Sequence, residues 1–231
     1  MEIDLHIHTN RYSGCSNINP VDALVQAAEV GLDAIALTEH GIRWSDDSIK
    51  ELIKKSGVKN LLVFPGQEVA CYSASGTFQG EFLVYGYPQS LGSNKSIEML
   101  IPLVHSLDGV VIAAHPFKKD DRSSGFYGSG HIVSEYDIDG IEVEHPSYED
   151  QGRMYAAQLA AKKKVAGLGC SDAHDVNLIG ICRSIFKSQV KDVPGLCREI
   201  RERRVEAINL EKGRIGKSRG KNTQRSIPQQ S

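Results

Sequence analysis

The chain begins Met1-Glu2-Ile3-Asp4-Leu5-His6-Ile7-His8-Thr9, a stretch in which apolar and polar side chains alternate strictly. That period of two predicts a half-buried β-strand, with Ile3, Leu5 and Ile7 on one face and Asp4, His6 and His8 on the other. Two imidazoles at the C-terminal end of one strand can reach a single ion, because histidine is the commonest protein ligand of zinc-like metals. Taken alone, the same pattern also fits two histidines on a solvated strand face.

Length and charge indicate one large domain followed by a short basic tail. The 231 residues suffice for a full core, and 40% hydrophobic and 24% charged residues are ordinary for a globular protein. Six basic and no acidic residues follow position 211, which leaves 21 basic against 29 acidic residues in the rest of the chain. We expect a single domain over residues 1–211 and a disordered tail over 212–231. The acidic body suits cations better than a large nucleic-acid surface.

Cysteine content and hydropathy indicate in which cellular compartment the protein is expected. The five cysteines are odd in number and show no Cys-x-x-Cys spacing, which indicates reduced thiols rather than a disulfide framework. No apolar run approaches the roughly 20 residues that span a bilayer, and the chain enters its first strand without a signal peptide. We therefore expect a cytoplasmic protein with no membrane partner.

Short apolar runs alternate with helical patterns along the rest of the chain. Strands are predicted over 33–38, 61–65, 81–87, 110–114, 138–143, 165–169 and 205–210, and helices over 21–30, 46–56, 95–107, 148–164 and 194–203. This alternation predicts an α/β fold with a mostly parallel sheet covered by helices, and about seven such units suit a closed or nearly closed barrel. A dinucleotide-binding sheet is disfavoured, because no Gly-x-Gly-x-x-Gly follows the first strand.

Metal-ligating side chains recur at the predicted strand ends. They are His6, His8, His40, His115, His145 and His174, together with Glu39, Glu68, Glu144 and Asp172, while Glu81 opens its strand. The C-terminal ends of parallel barrel strands converge on one mouth, where active sites lie. A single histidine at a strand end is more often a structural group, but six at the ends of five strands predict a site for several metal ions.

Five motifs resemble, in order, those of the PHP family, the polymerase and histidinol phosphatase domain. They are His6-Ile7-His8, Thr38-Glu39-His40, Gly66-Gln67-Glu68, Ala114-His115-Pro116 and Ser171-Asp172-Ala173-His174. The resemblance covers roughly residues 1–210. It implies a distorted (β/α)7 barrel with a metal site at the C-terminal ends of the strands, holding two or three divalent ions, usually zinc, manganese or iron.

Carried over position by position, the resemblance implies which residues bind each ion. One ion would take His6, His8, Glu68 and Asp172. Glu68 would bridge to a second ion, held also by His115 and by Glu81, which stands near a position where many members have a histidine. A third ion would take His40 and His174. The loop after His8 departs from the family by offering Tyr12 and Ser13 rather than a histidine, and Glu39 stands where an aspartate is usual.

The function implied is that of a metal-dependent phosphoesterase. Such an enzyme would use a metal-activated water to hydrolyse a phosphate monoester or diester of a small molecule, such as a nucleotide or histidinol phosphate. We expect catalytic roles for Asp172, His174 and His40, and His174, His40 or a water on the third ion is a candidate to protonate the leaving oxygen. Arg43 and Lys118 follow strand ends and could neutralise the substrate phosphate.

Three alternatives remain open at this point. A nuclease acting on nucleic-acid ends would need a basic groove, which the acidic body supports little. An amidohydrolase-type hydrolase also starts with His-x-His on a first barrel strand, but it commonly bridges its metals with a modified lysine, and no lysine ends a predicted strand here. A non-catalytic metal-binding module would be expected to have lost some of its ligands.

Overall fold

A single mixed sheet of nine strands organises the part of the chain that the computed structural model describes, residues 1–120 and 125–211. The basic tail predicted over residues 212–231 lies outside the described residues, and the single-domain boundary stays a prediction. The strands are β1 Glu2–Ile7, β2 Ala34–Leu37, β3 Leu62–Tyr72, β4 Phe78–Tyr85, β5 Val110–Ala113, β6 Gly140–Glu144, β7 Ala166–Gly169, β8 Cys182–Phe186 and β9 Val205–Asn209.

The sheet curls into a nearly closed barrel, which confirms the predicted fold class. Its strand order is β7-β6-β5-β4-β3-β2-β1-β8-β9. The end strand β7 approaches the β8–β9 pair at the other end, where the Ser184 hydroxyl of β8 donates to the Gly169 carbonyl of β7 at 3.0 Å and accepts from the Gly169 amide at 3.1 Å. A Cβ at Gly169 would collide with the Arg183 backbone, so this close approach requires glycine.

The sheet is less uniformly parallel than the sequence predicts. Neighbours of β4 and β8 pair with them antiparallel, whereas β1–β2–β3 and β5–β6–β7 are parallel. Only five residues connect β3 to β4, too few for the crossover that a parallel pair needs. Strand β8 escaped prediction because Arg183 and Ser184 interrupt its apolar pattern, although both are buried.

Five helices of the described residues pack around this sheet. They are α1 Pro20–Glu29, α2 Asp46–Ser56, α3 Ile97–His105, α4 Asp150–Lys163 and α5 Val193–Arg201. Helix α1 begins where the Asn19 side chain accepts from the Val21 amide, with proline at its first position, and the Ser45 hydroxyl caps α2 by accepting from the Ser48 amide. None of the helices in residues 1–120 and 125–211 is long and apolar enough to cross a membrane.

Strand β1 contains an irregularity that the alternating sequence hides. Its pairing register with β2 shifts between Asp4 and Ile7. Ile3 and Leu5 consequently pack in one core cluster, among side chains of β4, β5 and β7, whereas Ile7 packs in another, beneath α1 and α2. The structure thus corrects the expectation that all three share one face, because a bulge switches the side on which the following residues point.

Candidate metal centre

The two histidines of the first motif meet at the mouth of the barrel. His6 lies in β1 and His8 just beyond it, both fully buried, and their Nε2 atoms are 2.9 Å apart. The Nδ1 atom of His8 lies 3.3 Å from the Ser13 hydroxyl. The Nε2 atoms of His6 and His8 therefore point to the same position, where one ion could contact both.

Glu68 lies at the centre of the cluster, within β3. Its Oε1 is 3.3 Å from His6 Nε2 and 3.1 Å from His115 Nε2. Its Oε2 is 3.3 Å from His8 Nε2 and 2.9 Å from His40 Nδ1. Two imidazoles thus face each carboxylate oxygen, an arrangement in which one carboxylate can contact two ions.

Asp172, in the segment after β7, faces the same imidazoles from the other side. Its Oδ1 is 3.4 Å from the Nε2 atoms of both His6 and His8, and 3.5 Å from His174 Nδ1. Its Oδ2 is 3.4 Å from Lys118 Nζ. The backbone of Asp172 has φ of 49°, a left-handed conformation that is uncommon for residues other than glycine, although aspartate adopts it more readily than most, and that recurs at functional sites.

Glu81 reaches the mouth because β4 runs against its neighbours. The start of an antiparallel strand lies at the same edge as the ends of parallel strands, and Glu81 Oε2 is 3.6 Å from His115 Nε2. The position of Glu81 early in its strand, where the other strand-end residues do not lie, is therefore compatible with the cluster.

A buried carboxylate behind the cluster supports two of its histidines. Glu142 on β6 has its Oε1 2.8 Å from His6 Nδ1, and its Oε2 accepts from the His115 backbone amide at 2.7 Å. His115 has a positive φ of 29°, so this hydrogen bond holds an unfavourable backbone conformation. With Nδ1–H of His6 donated to Glu142, the Nε2 lone pair of that ring is directed into the cluster.

At the centre of the metal-free cluster, the pKa shifts favour a protonated His6 together with ionised Glu68 and Asp172. Burial alone would lower the pKa of His6, but the carboxylates of Glu68, Glu142 and Asp172 outweigh it and raise that pKa well above its usual value. Burial would likewise raise the pKa values of Glu68 and Asp172, yet His6 and the other surrounding histidines hold both well below their usual range. Several ionised carboxylates at one buried place require cations as partners.

The donor set fits divalent metal ions. Four groups of three side chains each bring one ligand atom per residue within 4.8 Å of the others: His8, His40 and His174; His6, His8 and Glu68; His6, His115 and Asp172; and His40, Glu68 and Glu81. Mixed imidazole and carboxylate donors suit zinc, manganese and iron, and such sites keep positions open for water and substrate.

The cluster opens into a cavity of about 640 Å³, lined by His40, Glu68, Glu81, His115, Lys118, Lys119, Asp120, Tyr127, Asp172 and His174. The side chains of His40 and His174 are partly exposed there, at 41% and 32%. Arg43, by contrast, is not brought to the cluster. Its guanidinium binds Asp46 Oδ1 at 2.7 Å and lines a separate cavity between α2 and the start of α5.

Three further side chains, His145, Cys15 and Glu39, lie in or beside the cluster. His145 Nε2 lies 3.4 Å from Asp172 Oδ2, and the exposed thiol of Cys15 lies 3.2 Å from His40 Nε2. Glu39, next to His40, turns away from the cavity and accepts from the Trp44 indole at 3.0 Å and from the Thr9 and Ser13 hydroxyls. The sequence placed His145 and Glu39 among the polar residues at predicted strand ends, whereas the Cys15 contact depends on a loop conformation and had no signal in the sequence.

We compared the chain with models of known protein families. A family model described as the PHP domain covers residues 4–174. The chain belongs to the PHP domain family. A second model, described as PHP-associated, covers residues 153–205 of this PHP chain. A search of curated proteins gave no significant match.

Solved structures with the same fold are distant in sequence. A two-domain protein from Bacteroides vulgatus, containing a predicted PHP-like metal-dependent phosphoesterase, aligns with a TM-score of 0.68 at 20% identity over 90% of the PHP chain and 64% of its own length. The PHP chain thus spans less than two thirds of that protein. A proposed metal-dependent phosphoesterase from Bifidobacterium adolescentis aligns with a TM-score of 0.60 at 17% identity, over 88% and 96%.

An amidohydrolase from Chromobacterium violaceum, solved with bound sulfate and no metal, aligns with a TM-score of 0.54 at 14% identity over 75% of the PHP chain and 88% of its own. At these identities the three similarities show the fold alone, and the chemistry of this chain has to be argued from its own residues.

Proposed function

We propose that this PHP chain is a metal-dependent phosphoesterase that hydrolyses a phosphate monoester or diester of a small molecule. The observation that carries the proposal is the position of Glu68. The Nε2 atoms of His6 and His115 face one of its carboxylate oxygens and that of His8 faces the other, at 3.1 to 3.3 Å, so that one buried carboxylate lies between metal-binding nitrogens on both of its oxygens. Paired ions bridged in this way are suited to phosphoryl transfer.

The ligand assignment follows from the groups that the fold brings together. We assign His6, His8, Glu68 and Asp172 to one ion. We assign Glu68, His115 and Glu81 to a second ion, since Glu81 Oε2 and Glu68 Oε1 both face His115 Nε2. A third ion falls to His40 and His174, which form a close group with His8. Zinc, manganese and iron all suit these ligands.

The bound ions would supply an activated water and neutralise charge on the phosphoryl oxygens. The side chains of the protein position the substrate and move its protons. Lys118 Nζ, 3.4 Å from Asp172 Oδ2, lies where an ammonium group can pair with a phosphate oxygen next to the cluster. His40 and His174 are the partly exposed imidazoles of the cavity, so either can deliver a proton to the leaving oxygen when the third ion is absent, and a water on that ion would take this role when it is bound.

The size and charge of the cavity favour a small substrate. A volume of about 640 Å³ accommodates a nucleotide or a phosphorylated metabolite such as histidinol phosphate. Two lysines, Lys118 and Lys119, provide the basic side chains among the described residues that line it. Nucleic-acid ends remain a second phosphate-bearing substrate class, and their binding would depend strongly on salt.

The test is a phosphatase screen joined to metal analysis. The purified protein is stripped of metal, reloaded with zinc, manganese or iron, and assayed for phosphate release from nucleotides, sugar phosphates, histidinol phosphate and a diester. We expect metal-dependent release from at least one small ester. The Glu68→Gln variant should lose this activity together with bound metal, whereas Glu51→Gln, an exposed carboxylate of α2, should keep both.

Hydrolysis of an amide bond is the competing chemistry, and the likeness to the fold of the Chromobacterium amidohydrolase favours it. Glu68 already occupies the place between the histidines that a modified lysine fills in many such enzymes. The same metal-loaded protein is therefore assayed against acyl amides and cyclic amides. Metal-dependent amide hydrolysis without phosphate release would overturn the phosphoesterase proposal.

A further inference from the structure

The loop after β1 places a cysteine at the rim of the cavity. Cys15 is exposed, and its Sγ lies 3.2 Å from His40 Nε2, whereas Cys71, Cys170, Cys182 and Cys197 are buried. The loop is held on both sides of the cluster. The Ser16 hydroxyl donates to the His8 carbonyl at 2.8 Å, and the Asn17 amide donates to the His174 carbonyl at 3.0 Å. The thiol is thus anchored beside two of the predicted ligands.

The orientation of His40 directs one nitrogen toward that thiol. Its Nδ1 lies 2.9 Å from Glu68 Oε2, so Nδ1–H can donate to the carboxylate. A carboxylate that binds one imidazole nitrogen fixes the ring and leaves the other nitrogen as a metal ligand. The other nitrogen of His40 is the one that faces Cys15.

His174 is arranged in the same way. Its Nδ1 lies 2.9 Å from the Asp172 backbone carbonyl, which leaves Nε2 as the metal-binding nitrogen. The rings of His40 and His174 both lie next to that of His8, at centroid distances of 4.3 Å and 4.5 Å, and 6.2 Å from each other, and the three offer ligand atoms within 4.8 Å of one another. An ion at this rim would therefore be within reach of two imidazoles that are already oriented.

The sulfur–nitrogen separation matches shared coordination. Bonds of about 2.3 Å to sulfur and about 2.0 Å to nitrogen, at a tetrahedral angle, put the two ligand atoms about 3.5 Å apart. The separation of 3.2 Å between Cys15 Sγ and His40 Nε2 is within a few tenths of an ångström of that value. A small opening of the loop would admit the ion.

We propose that Cys15 is a thiolate ligand of the rim ion, together with His40 and His174. The inference rests on the proposed metal centre and specifies its third ion. On binding, the thiol loses its proton to solvent and a sulfur–metal bond forms. A soft thiolate shifts the preference of this position toward zinc, cobalt or iron(II) and away from manganese and magnesium.

Cobalt substitution tests the sulfur–metal bond without an activity assay. Metal-stripped protein is titrated with cobalt(II) while bound metal and absorption are measured. We expect a thiolate-to-cobalt charge-transfer band in the near ultraviolet that is absent in Cys15→Ser, which should also bind one ion fewer. Cys15→His should restore the ion without the band. Cobalt bound to the wild-type chain with no such band would overturn the proposal and leave the other two ions standing.

Alkylation gives a second readout with internal controls. Metal-free native protein should react with iodoacetamide at Cys15, and the four buried cysteines should react only after denaturation. Saturation with zinc should slow alkylation of Cys15 and leave the others unchanged. Equal Cys15 labelling with and without zinc, in protein shown to hold the metal, would refute coordination. Protein that binds no metal at all would refute the metal centre itself.

Discussion

Replacing Glu142 with glutamine should weaken metal binding although Glu142 need not touch a metal. The carboxylate accepts two hydrogen bonds, from His6 Nδ1 at 2.8 Å and from the His115 amide at 2.7 Å. Burial alone would raise its pKa, but His6 lowers it, so the group is ionised. A glutamine has one acceptor oxygen and one donor nitrogen, and it therefore faces one of these two donors with another donor.

The size of the effect follows from the lost contact. A buried hydrogen bond to a charged group contributes about 1.5–3 kcal/mol, and about 1.4 kcal/mol corresponds to a factor of ten in binding. Losing one such bond, which orients either His6 or His115, should weaken metal binding by about 10- to 100-fold, the range found for groups that orient metal-binding histidines.

The assay is a competition titration of zinc against a chromogenic chelator, with circular dichroism to confirm the fold of the metal-free variant. Glu199→Gln is the matched control, since Glu199 is also a buried carboxylate but is paired with Arg204 at 2.7 Å, outside the cluster. If zinc affinity in Glu142→Gln stays within about twofold of wild type, the argued dependence of His6 and His115 on this carboxylate is wrong.

Three further outcomes are expected. Lys118→Ala should raise KM for the phosphate ester by about tenfold with a smaller change in kcat, whereas Arg43→Ala, which alters the separate cavity, should change neither. Treatment with a chelator should abolish turnover, and zinc or manganese, but not calcium, should restore it. In metal-free protein, burial lowers the pKa of His8 but hydrogen bonds to Asp172 and Glu68 raise it to about 8. Protonated His8 then stabilises the fold below pH about 6.5, and this contribution, about 2 kcal/mol, is lost as the pH rises through 8. Urea unfolding of the chelator-treated protein should show that loss, and His8→Gln should show less of it.

The convergence of the cluster was predictable because it depends on strand ends. His6, His8, Glu68, His115 and Asp172 are far apart in the chain, yet each lies at or just past the end of an apolar run. Parallel strands bring such ends to one edge whatever their exact length. The prediction therefore survived errors in strand bounds, including β3, which continues to Tyr72 rather than stopping near residue 65.

Features that depend on register or on loops were not predictable in the same way. The bulge in β1 leaves no mark on the alternating sequence, so the side on which Asp4 lies could not be read from it. In the structure Asp4 accepts from the Ser171 and Gly180 amides, at 3.1 Å and 2.8 Å, and ties the segment that carries Asp172 to β1.

Basic residues near strand ends were equally ambiguous. Lys118 and Arg43 each follow a strand at a similar distance in the sequence. The Lys118 side chain lines the cavity at the mouth, where its ammonium group lies 5.9 Å from the Tyr127 ring centre, whereas Arg43 pairs with Asp46 at the start of α2. Sequence position alone could not separate them, because the direction of each loop depends on contacts made elsewhere in the chain.

Charge balance links the proposed ions to one another. Glu68, Glu81, Asp172 and Glu142 place four carboxylates at the cluster, all of them largely buried, and two divalent ions neutralise four such charges. A third divalent ion held only by the neutral imidazoles of His40 and His174 would leave two positive charges uncompensated. The thiolate of Cys15 would remove one of them, and the phosphate group of a substrate would compensate the rest. On this argument the rim ion is the one most dependent on substrate, so zinc should bind there more tightly when inorganic phosphate is present, and the Cys15→Ser variant should depend on phosphate more than the wild type does.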